Sequence, residues 1–375
     1  MEFDLDDDQR ALRDEARRFL EREAGVSYAR EMMEDDRGFT DDAWKKIASL
    51  GWTALPFAED HGGLGQGFVA LAILLAEMGR VVLPGPFFST VVLAGSAVSE
   101  AGSESQRKEL LPAICEGGLL AAAVLPVAEH RVSVEARDGR LHGEGSFVTD
   151  AQVADRIVVA ARGPDGVGLY VTEGRDGVET TPISSMDQTR KAADVRFEGA
   201  PAERLGDAGW PAVQRVLDRA CVGLAAEMLG GAERVLELSV EYAKQRVQFD
   251  RPIGSFQAVK HRAADMLLEV ESLRSAVYYA AWALERDHPD ASLVASMAKA
   301  YASDAYRKVA ASGIQIHGGI GFTWEADLHL YFKRAKHFEP FYGDADFHRE
   351  QALRLMLERA AADQPQAESV PALAS

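Results

Sequence analysis

Residues 242–260 read YAKQRVQFDRPIGSFQAVK and join two long segments of helical apolar spacing. The connector contains groups that can hold anionic and aromatic ligands. An arginine can bind a phosphate through two hydrogen bonds, a glutamine can bond a carbonyl or a ribose, and a phenyl ring can lie against another ring. A well-filled joint between two helices explains the same residues, so both interpretations stay open on this stretch alone.

A second stretch, QIHGGIGFTWE at residues 315–325, follows about sixty residues later. Three glycines within four positions allow a backbone to approach a ligand or another chain closely, because glycine has no Cβ atom. A helix end followed by a turn explains them equally well. We interpret the ring of His317 as part of a cleft wall, in preference to a catalytic group.

Beyond these two stretches, the chain divides into regions that differ in the spacing of their apolar residues. Residues 1–118 and 206–360 carry helical spacing, whereas residues 119–205 carry short β-rich runs separated by turn residues. Residues 361–375 have no apolar stripe, and we expect a flexible tail. The order predicts an α+β fold with segregated elements: an N-terminal helical domain, a middle antiparallel β domain and a C-terminal helical bundle.

Local signals place several helices in more detail. Thr40 has the chemistry of an N-cap for a helix over residues 41–50, and Ser103 with Gln106 has capping-box spacing. An apolar helix is predicted over residues 67–79. Further helices are predicted over 291–312 and along an apolar stripe from Phe256, whose members also include Val259, Ala263, Met266, Leu267, Val270, Leu273, Val277 and Ala281.

Composition excludes several classes of function. The 375 residues carry a net charge of -18, which disfavours nucleic acid as a partner. The sequence has no apolar run long enough to span a membrane. Two cysteines cannot build a disulfide framework, and no Cys/His cluster has the spacing of metal ligands, so no metal site is expected. We expect a cytoplasmic protein.

Taken together, the two C-terminal stretches resemble the acyl-CoA dehydrogenase family. The pattern Y-x-x-x-R-x-x-F-x-x-P-I-x-x-F-Q-x-x-K, followed by Q-I-x-G-G-x-G-F-T, is similar to that of the family, and so is GSFVTD at residues 145–150. The resemblance implies the family fold with a four-helix bundle at its C-terminal end. It also implies FAD, a homo- or hetero-tetramer with a related subunit, and an electron-transfer flavoprotein as the usual electron acceptor.

The resemblance also implies which residues bind FAD. Phe147 and Thr149 would contact the flavin. Residues of the C-terminal stretches would reach FAD of a neighbouring subunit or line its adenosine-pyrophosphate portion; they are Arg246, Phe249, Gln257, Gln315, Gly318 and Gly319.

The sequence departs from the family pattern where the catalytic base belongs. Tyr342 occupies the position of the usual glutamate, and Ala220 occupies the position that carries the base in other members. A phenol with a pKa near 10 is a poor base at neutral pH. The family's T-E-P-x-x-G-S-D loop is replaced by LPVAEHR at residues 125–131.

Two carboxylates are candidate replacements for the base. Glu227 lies two helical turns beyond Ala220 among apolar neighbours, and Asp344 lies two residues after Tyr342. A buried carboxylate has a raised pKa, which suits a general base. A structural ion pair is the alternative for each residue.

Three functions therefore stay open. The first is FAD-dependent 2,3-dehydrogenation of an acyl thioester, carried by CoA. The second is a base-less, FAD-binding subunit that works with a related chain carrying the glutamate. The third is another flavoenzyme reaction on the same fold, catalysed by an oxidase, hydroxylase or dehydratase.

Overall fold

The computed structural model describes residues 5–362. The predicted tail over residues 361–375 therefore lies outside the described residues, except for the two residues that complete the last helix. The N-terminal region is helical as predicted. Its helices are α1 (Asp7–Glu23), α2 (Val26–Met33), α3 (Asp41–Ser49), α4 (Gly67–Arg80), α5 (Ser96–Ala101) and α6 (Glu104–Cys115), and a π-helical segment (Phe88–Gly95) leads into α5.

The helix caps read from the sequence are confirmed. Thr40 Oγ1 accepts a hydrogen bond from the backbone N–H of Ala43 at 3.2 Å. Ser103 and Gln106 form a reciprocal capping box at the start of α6. Each cap satisfies backbone N–H groups that have no partner inside the helix. These ends are therefore fixed by residues next to them in the sequence.

The middle region is a seven-stranded sheet. Its strands are β1 (Ala121–Val124), β2 (Val134–Arg137), β3 (Arg140–Thr149), β4 (Arg156–Gly163), β5 (Gly166–Thr172), β6 (Val178–Ile183) and β7 (Ala192–Arg204). Five strands close in the cyclic order β4-β2-β3-β7-β5, with β1 beside β4 and β6 beside β7. Most pairs are antiparallel, as predicted, but β4 runs parallel to β1 and to β2. Strand β3 runs antiparallel to β2, and the chain then crosses over so that β4 lies on the other side of β2. Because β4 runs in the opposite direction to β3, it is parallel to β2.

Alternation along β1 explains why this strand reads as continuously apolar. Ala121 and Ala123 pack against the helices, whereas Ala122 and Val124 belong to the core inside the sheet. Successive side chains of a strand point to opposite faces. Both faces of β1 are therefore buried, and the strand joins the helical core to the sheet.

Strand β3 contains a bulge near its C-terminal end, which changes the direction of a side chain there. The register with β7 shifts between Gly145 and Val148. Phe147, inside this shift, has a φ of +60°, and its backbone N–H donates to Asp194 Oδ1 at 3.3 Å. An extra residue in one strand re-aims its side chain relative to the regular alternation. The exposed ring of Phe147 is positioned in this way.

The C-terminal region, as far as residue 362, consists of four long helices and one shorter one. They are α7 (Trp210–Gln245), α8 (Gln257–Glu285), α9 (Ala291–His317), α10 (Leu328–Phe338) and α11 (Ala345–Ala362). A small two-stranded turn, β8 (Val247–Gln248) with β9 (Arg251–Pro252), joins α7 to α8. The predicted stripe of α8 is buried at Met266, Val270 and Leu273, whereas Leu267 is exposed.

One apolar core runs through the N-terminal helices, one face of the sheet and the C-terminal bundle. It places the last turns of α10 and the segment that follows against the sheet, beside a large cavity. Cys115 and Cys221 are buried free thiols. Between residues 5 and 362, no helix is long and apolar enough to cross a membrane, and no group of side chains could hold a metal ion.

Candidate functional site

A cavity of about 800 Å³ lies between the sheet and the segment that joins α10 to α11. Its volume is in the range of ligand pockets, which are concave and mostly apolar. The sheet side contributes β1, β3 and the segments next to them. The lining residues are Ala123, Val124, Leu125, Pro126, Val127, Arg131, Ser133, Gly145, Ser146, Phe147, Val148, Thr149, Ala160, Ser184, Ser185, Met186, Lys336, His337, Pro340, Phe341 and Tyr342.

The structure places Phe147 and Thr149, which the family resemblance implies as flavin contacts, in the wall of this cavity. The ring of Phe147 lies edge-on to Phe341, with 5.7 Å between centroids, and 5.7 Å from the ring of His337. Thr149 is buried at the end of β3. An aromatic face and a hydroxyl in one wall suit a flat, partly polar ligand.

Among the residues that the structure describes, no aspartate or glutamate lines the cavity. Among the lining residues, His337 is the best candidate for a group that could accept a proton near neutral pH. Its Nδ1 shares a hydrogen bond with Ser185 Oγ at 3.1 Å, and burial lowers the pKa of the imidazole to about 4. His337 is therefore neutral at pH 7 and a weak proton acceptor. Tyr342 is no better, because burial raises the pKa of its phenol well above the usual value.

A buried lysine, Lys299, forms hydrogen bonds to the backbone of the segment that carries Tyr342. Lys299 Nζ donates to the carbonyls of Glu339 at 3.1 Å and Gly343 at 2.9 Å, and to Ser303 Oγ at 3.1 Å. Burial lowers the pKa of Lys299 to about 8. Tyr342 itself has a φ of +54°, a backbone conformation that non-glycine residues rarely adopt. The lysine thus fixes the segment at the position where the family pattern has its base.

Ala220 and its neighbour do not compensate for the missing carboxylate. Ala220 is fully buried in α7. The Sγ atom of Cys221 lies 3.7 Å from Nε2 of His348, but burial raises the pKa of the thiol to about 12. Cys221 therefore stays protonated and is not a nucleophile or a base.

Glu227 lies behind the cavity wall, in a buried cluster that we call the ion-pair network. Its Oε2 accepts from Arg190 Nη2 at 2.6 Å and lies 3.4 Å from Arg334 Nη1. Arg334 also pairs with buried Asp187. Glu227 is 4% exposed and is not among the cavity-lining residues. This geometry supports the structural ion pair, and the role of Glu227 as base stays a prediction that the geometry does not favour.

Asp344 serves as the N-cap of α11. Its Oδ1 accepts from the backbone N–H of Phe347 at 2.9 Å, and its side chain is exposed. It does not line the cavity, although it follows Tyr342 by two residues. A general base must come within hydrogen-bond reach of the proton that it removes, and a side chain outside the cavity does not meet this condition. The base role of Asp344 is likewise a prediction without geometric support.

Asp150, which the sequence reasoning did not single out, completes the ion-pair network. Its Oδ2 accepts from Ser89 Oγ at 2.7 Å, and its Oδ1 has no hydrogen-bond partner among the described residues. Burial raises the pKa of this carboxyl to about 6. The network contains three carboxylates (Asp150, Asp187, Glu227) and two guanidiniums (Arg190, Arg334). Asp150 is the carboxyl in it that takes up a proton as the pH falls through about 6.

The predicted FAD residues of the C-terminal half form a second location. The side chains or backbones of Arg246, Phe249, Gln257, Gln315, Gly318 and Gly319 are exposed and do not line the cavity. The two stretches meet where the ring of His317 stacks on Tyr242 at 4.3 Å. His317 Nδ1 also lies 2.8 Å from the carbonyl of Gly313, so the ring has a structural role.

The two locations fit the two ends of a flavin nucleotide. The cavity offers Phe147 and Thr149 beside a mostly apolar wall. At the other location, Arg246 has no ion pair among the described residues, and a Cβ atom at Gly318 or Gly319 would meet nothing within 4 Å. Open backbone at the two glycines and an unpaired guanidinium at Arg246 are each groups that suit a pyrophosphate. These residues do not line the cavity of their own chain.

Comparisons with known proteins match both terminal domains of this chain. A family model described as "Acyl-CoA dehydrogenase, N-terminal domain" matches residues 6–118, and one described as "Acyl-CoA dehydrogenase, C-terminal domain" matches residues 207–357. The acyl-CoA dehydrogenase IpdE2 of Mycobacterium tuberculosis is 34% identical over 331 residues, which cover 88% of this chain and 91% of the relative.

Two solved structures are similar along nearly the whole chain. A variant of the Tcur3481-Tcur3483 steroid ACAD is 30% identical with a TM-score of 0.87, covering 94% of this chain and 99% of that chain. The ChsE4-ChsE5 complex from Mycobacterium tuberculosis is 26% identical with a TM-score of 0.88, covering 97% and 100%. With both terminal domains matched and a relative this similar over most of its length, the chain belongs to the acyl-CoA dehydrogenase family of flavoprotein oxidoreductases.

Proposed function

We propose that this chain is the FAD-binding, base-less subunit of a two-chain acyl-CoA dehydrogenase that forms a 2,3-double bond in a CoA thioester. A second, related chain, which we call the sister chain, supplies the catalytic glutamate. The observation that carries the proposal is the cavity wall, to which the described residues contribute no carboxylate and in which Tyr342 stands at the position of the usual base.

The chemistry explains why a missing carboxylate matters. Removal of the proton next to the thioester carbonyl needs a positioned base, which contributes about 10²–10⁴-fold to the rate. When bound, the flavin supplies the acceptor for the β-hydrogen. His337 is neutral and a weak base, and the phenol of Tyr342 holds its proton at neutral pH. The described part of the cavity therefore lacks an efficient proton acceptor for this step.

The exposed second location supports assembly with another subunit. Arg246 and Phe249, the latter 87% exposed, extend from the joint between α7 and α8 and would contact FAD in a neighbour. One of the similar structures is named as a complex, ChsE4-ChsE5, and another carries the double name Tcur3481-Tcur3483. We therefore infer a hetero-tetramer in preference to a homo-tetramer, with an electron-transfer flavoprotein as the electron acceptor.

The test is anaerobic mixing with a panel of CoA thioesters while flavin bleaching is followed. The purified chain alone is expected to bleach slowly, and its co-purified complex with the sister chain is expected to bleach rapidly. Replacement of the glutamate in the sister chain should abolish the rapid phase. Rapid bleaching by the isolated chain would overturn the base-less assignment, and a colourless protein that takes up no FAD would overturn the cofactor.

A further inference from the structure

The cavity is lined by one arginine whose charge has no partner in the described part of the protein. Arg131 belongs to the LPVAEHR segment between β1 and β2, and its guanidinium forms no ion pair or side-chain hydrogen bond within residues 5–362. The other cationic lining residue, Lys336, is paired with Glu339. His337 is neutral at pH 7. Arg131 is therefore the group that gives this cavity a free positive charge.

The backbone that carries Arg131 is fixed by hydrogen bonds. The N–H of Arg131 donates to the carbonyl of Ala128 at 2.9 Å, and Arg162 Nη2 donates to the carbonyl of Glu129 at 3.3 Å. Two residues further, Ser133 Oγ donates to the carbonyl of Glu144 at 2.7 Å. The guanidinium thus extends from an anchored turn, while its tip stays free to meet a ligand.

The charge of Arg131 stands out against its surroundings. The protein carries a net charge of -18, yet no acidic residue between positions 5 and 362 lines the cavity, and the nearby Glu129 and Glu144 lie outside the lining. A guanidinium presents a planar set of N–H donors that matches a carboxylate or a phosphate through two hydrogen bonds. Screening limits surface fields to roughly 8–10 Å at physiological salt, so the local charge decides which ligand is attracted.

We propose that Arg131 binds an anionic oxygen group, a carboxylate or a phosphate, of an acyl thioester held in this cavity. The cavity then keeps a binding role although it lacks a base. The inference rests on the acyl thioester ligand of the proposed function. Two sources supply such a group: a second carboxylate at the far end of the acyl chain, or the phosphates of the CoA carrier.

The test compares binding of four ligands to the flavin-loaded protein, as the isolated chain and as the complex with the sister chain. The ligands are a simple acyl thioester and its counterpart with a terminal carboxylate, each on CoA and on phosphate-free N-acetylcysteamine. The complex used for calorimetry carries glutamine in place of the sister chain's catalytic glutamate, so the heat reports binding without reduction of the flavin and failure of the proposed reaction does not obscure the result. Arg131→Gln is the main variant. Arg131→Lys keeps the charge without the two-pronged geometry, and exposed Arg137→Gln, outside the cavity, is the matched control.

Arg131→Gln is expected to weaken binding about 10- to 100-fold, which corresponds to the loss of a charge-assisted hydrogen bond. A loss confined to ligands with the terminal carboxylate assigns the contact to the acyl chain. A loss for both CoA ligands and neither N-acetylcysteamine ligand assigns it to the carrier phosphates. Arg131→Lys should fall between wild type and Arg131→Gln. Equal binding in Arg131→Gln and wild type, a loss that Arg137→Gln reproduces, an effect on FAD content alone, or no thioester binding to the wild-type cavity would each overturn the proposal.

Discussion

Two adjoining regions of this protein handle charge in opposite ways. Within the described residues, the cavity wall has no carboxylate, and its histidine and tyrosine are neutral at pH 7. The ion-pair network behind it contains Asp150, Asp187 and Glu227, with two guanidiniums. The comparison shows that a carboxylate can be close to cavity-lining residues along the chain and still not reach the cavity. A buried carboxylate with cationic partners is held in place by them, and removing one partner is costly.

Moving a carboxylate into the cavity should have the largest effect. Tyr342→Glu restores the family's acid in a segment that Lys299 already holds. A gain of about 10²–10⁴-fold in anaerobic flavin bleaching by the isolated chain is expected, since that is the contribution of a positioned base. Tyr342→Phe is the matched control and should bleach no faster than wild type. If Tyr342→Glu gains nothing while still folding and binding FAD, a second defect, such as the altered segment at residues 125–131, limits the reaction.

Removing a carboxylate from the ion-pair network should change stability more than turnover. Glu227→Gln removes the ion-pair partner of Arg190 and one of the two carboxylates that contact Arg334, so we expect a loss of about 3–5 kcal/mol in the free energy of unfolding. Denaturant unfolding measures it. Glu358→Gln, which breaks an exposed pair with Arg354, should cost less than about 1 kcal/mol. Abolished bleaching with unchanged stability would instead identify Glu227 as the base.

The proton on Asp150 should make stability depend on pH. Its folded-state pKa of about 6 lies above the ordinary value of 3.8, so the native state binds this proton more tightly than the unfolded state does. This contribution is fully present below about pH 4 and is lost as the pH rises through 6. Asp150→Asn should remove this part of the pH dependence. Denaturant titrations between about pH 4 and 7.5 test it, and an identical pH profile in the variant and wild type would contradict the assignment of the proton.

The smallest effect is expected at Asp344, outside both regions. Asp344→Ala removes the cap of α11 and should cost about 1 kcal/mol in the free energy of unfolding, whereas Asp344→Asn keeps a capping oxygen and should cost less. Neither change should alter bleaching by the complex with the sister chain. If both variants lost turnover but kept their stability, Asp344 would be the base.

The local sequence was sufficient to predict those features that are stabilised by residues close together along the chain. Thr40 and the Ser103–Gln106 pair mark helix starts because their side chains bond N–H groups three residues away. The stripe through Met266, Val270 and Leu273 predicts a buried helix face because helical spacing repeats along the chain. The positive φ of Phe147 could not be read in this way, since the bulge depends on the pairing of β3 with β7.

The sequence by itself determined the order of helices, sheet and helices and the family motifs, because each depends on residues that lie close together along the chain. The tertiary structure alone decided which charged groups meet. Glu227 contacts Arg190 and Arg334, which lie 37 and 107 positions away. Lys299 reaches the carbonyl of Gly343 across 44 positions, and Arg131 enters a wall shared with Tyr342. Whether a charge is paired, buried or free depends on what the fold brings within a few ångströms of it, because its electrostatic energy falls with distance and rises as water is excluded.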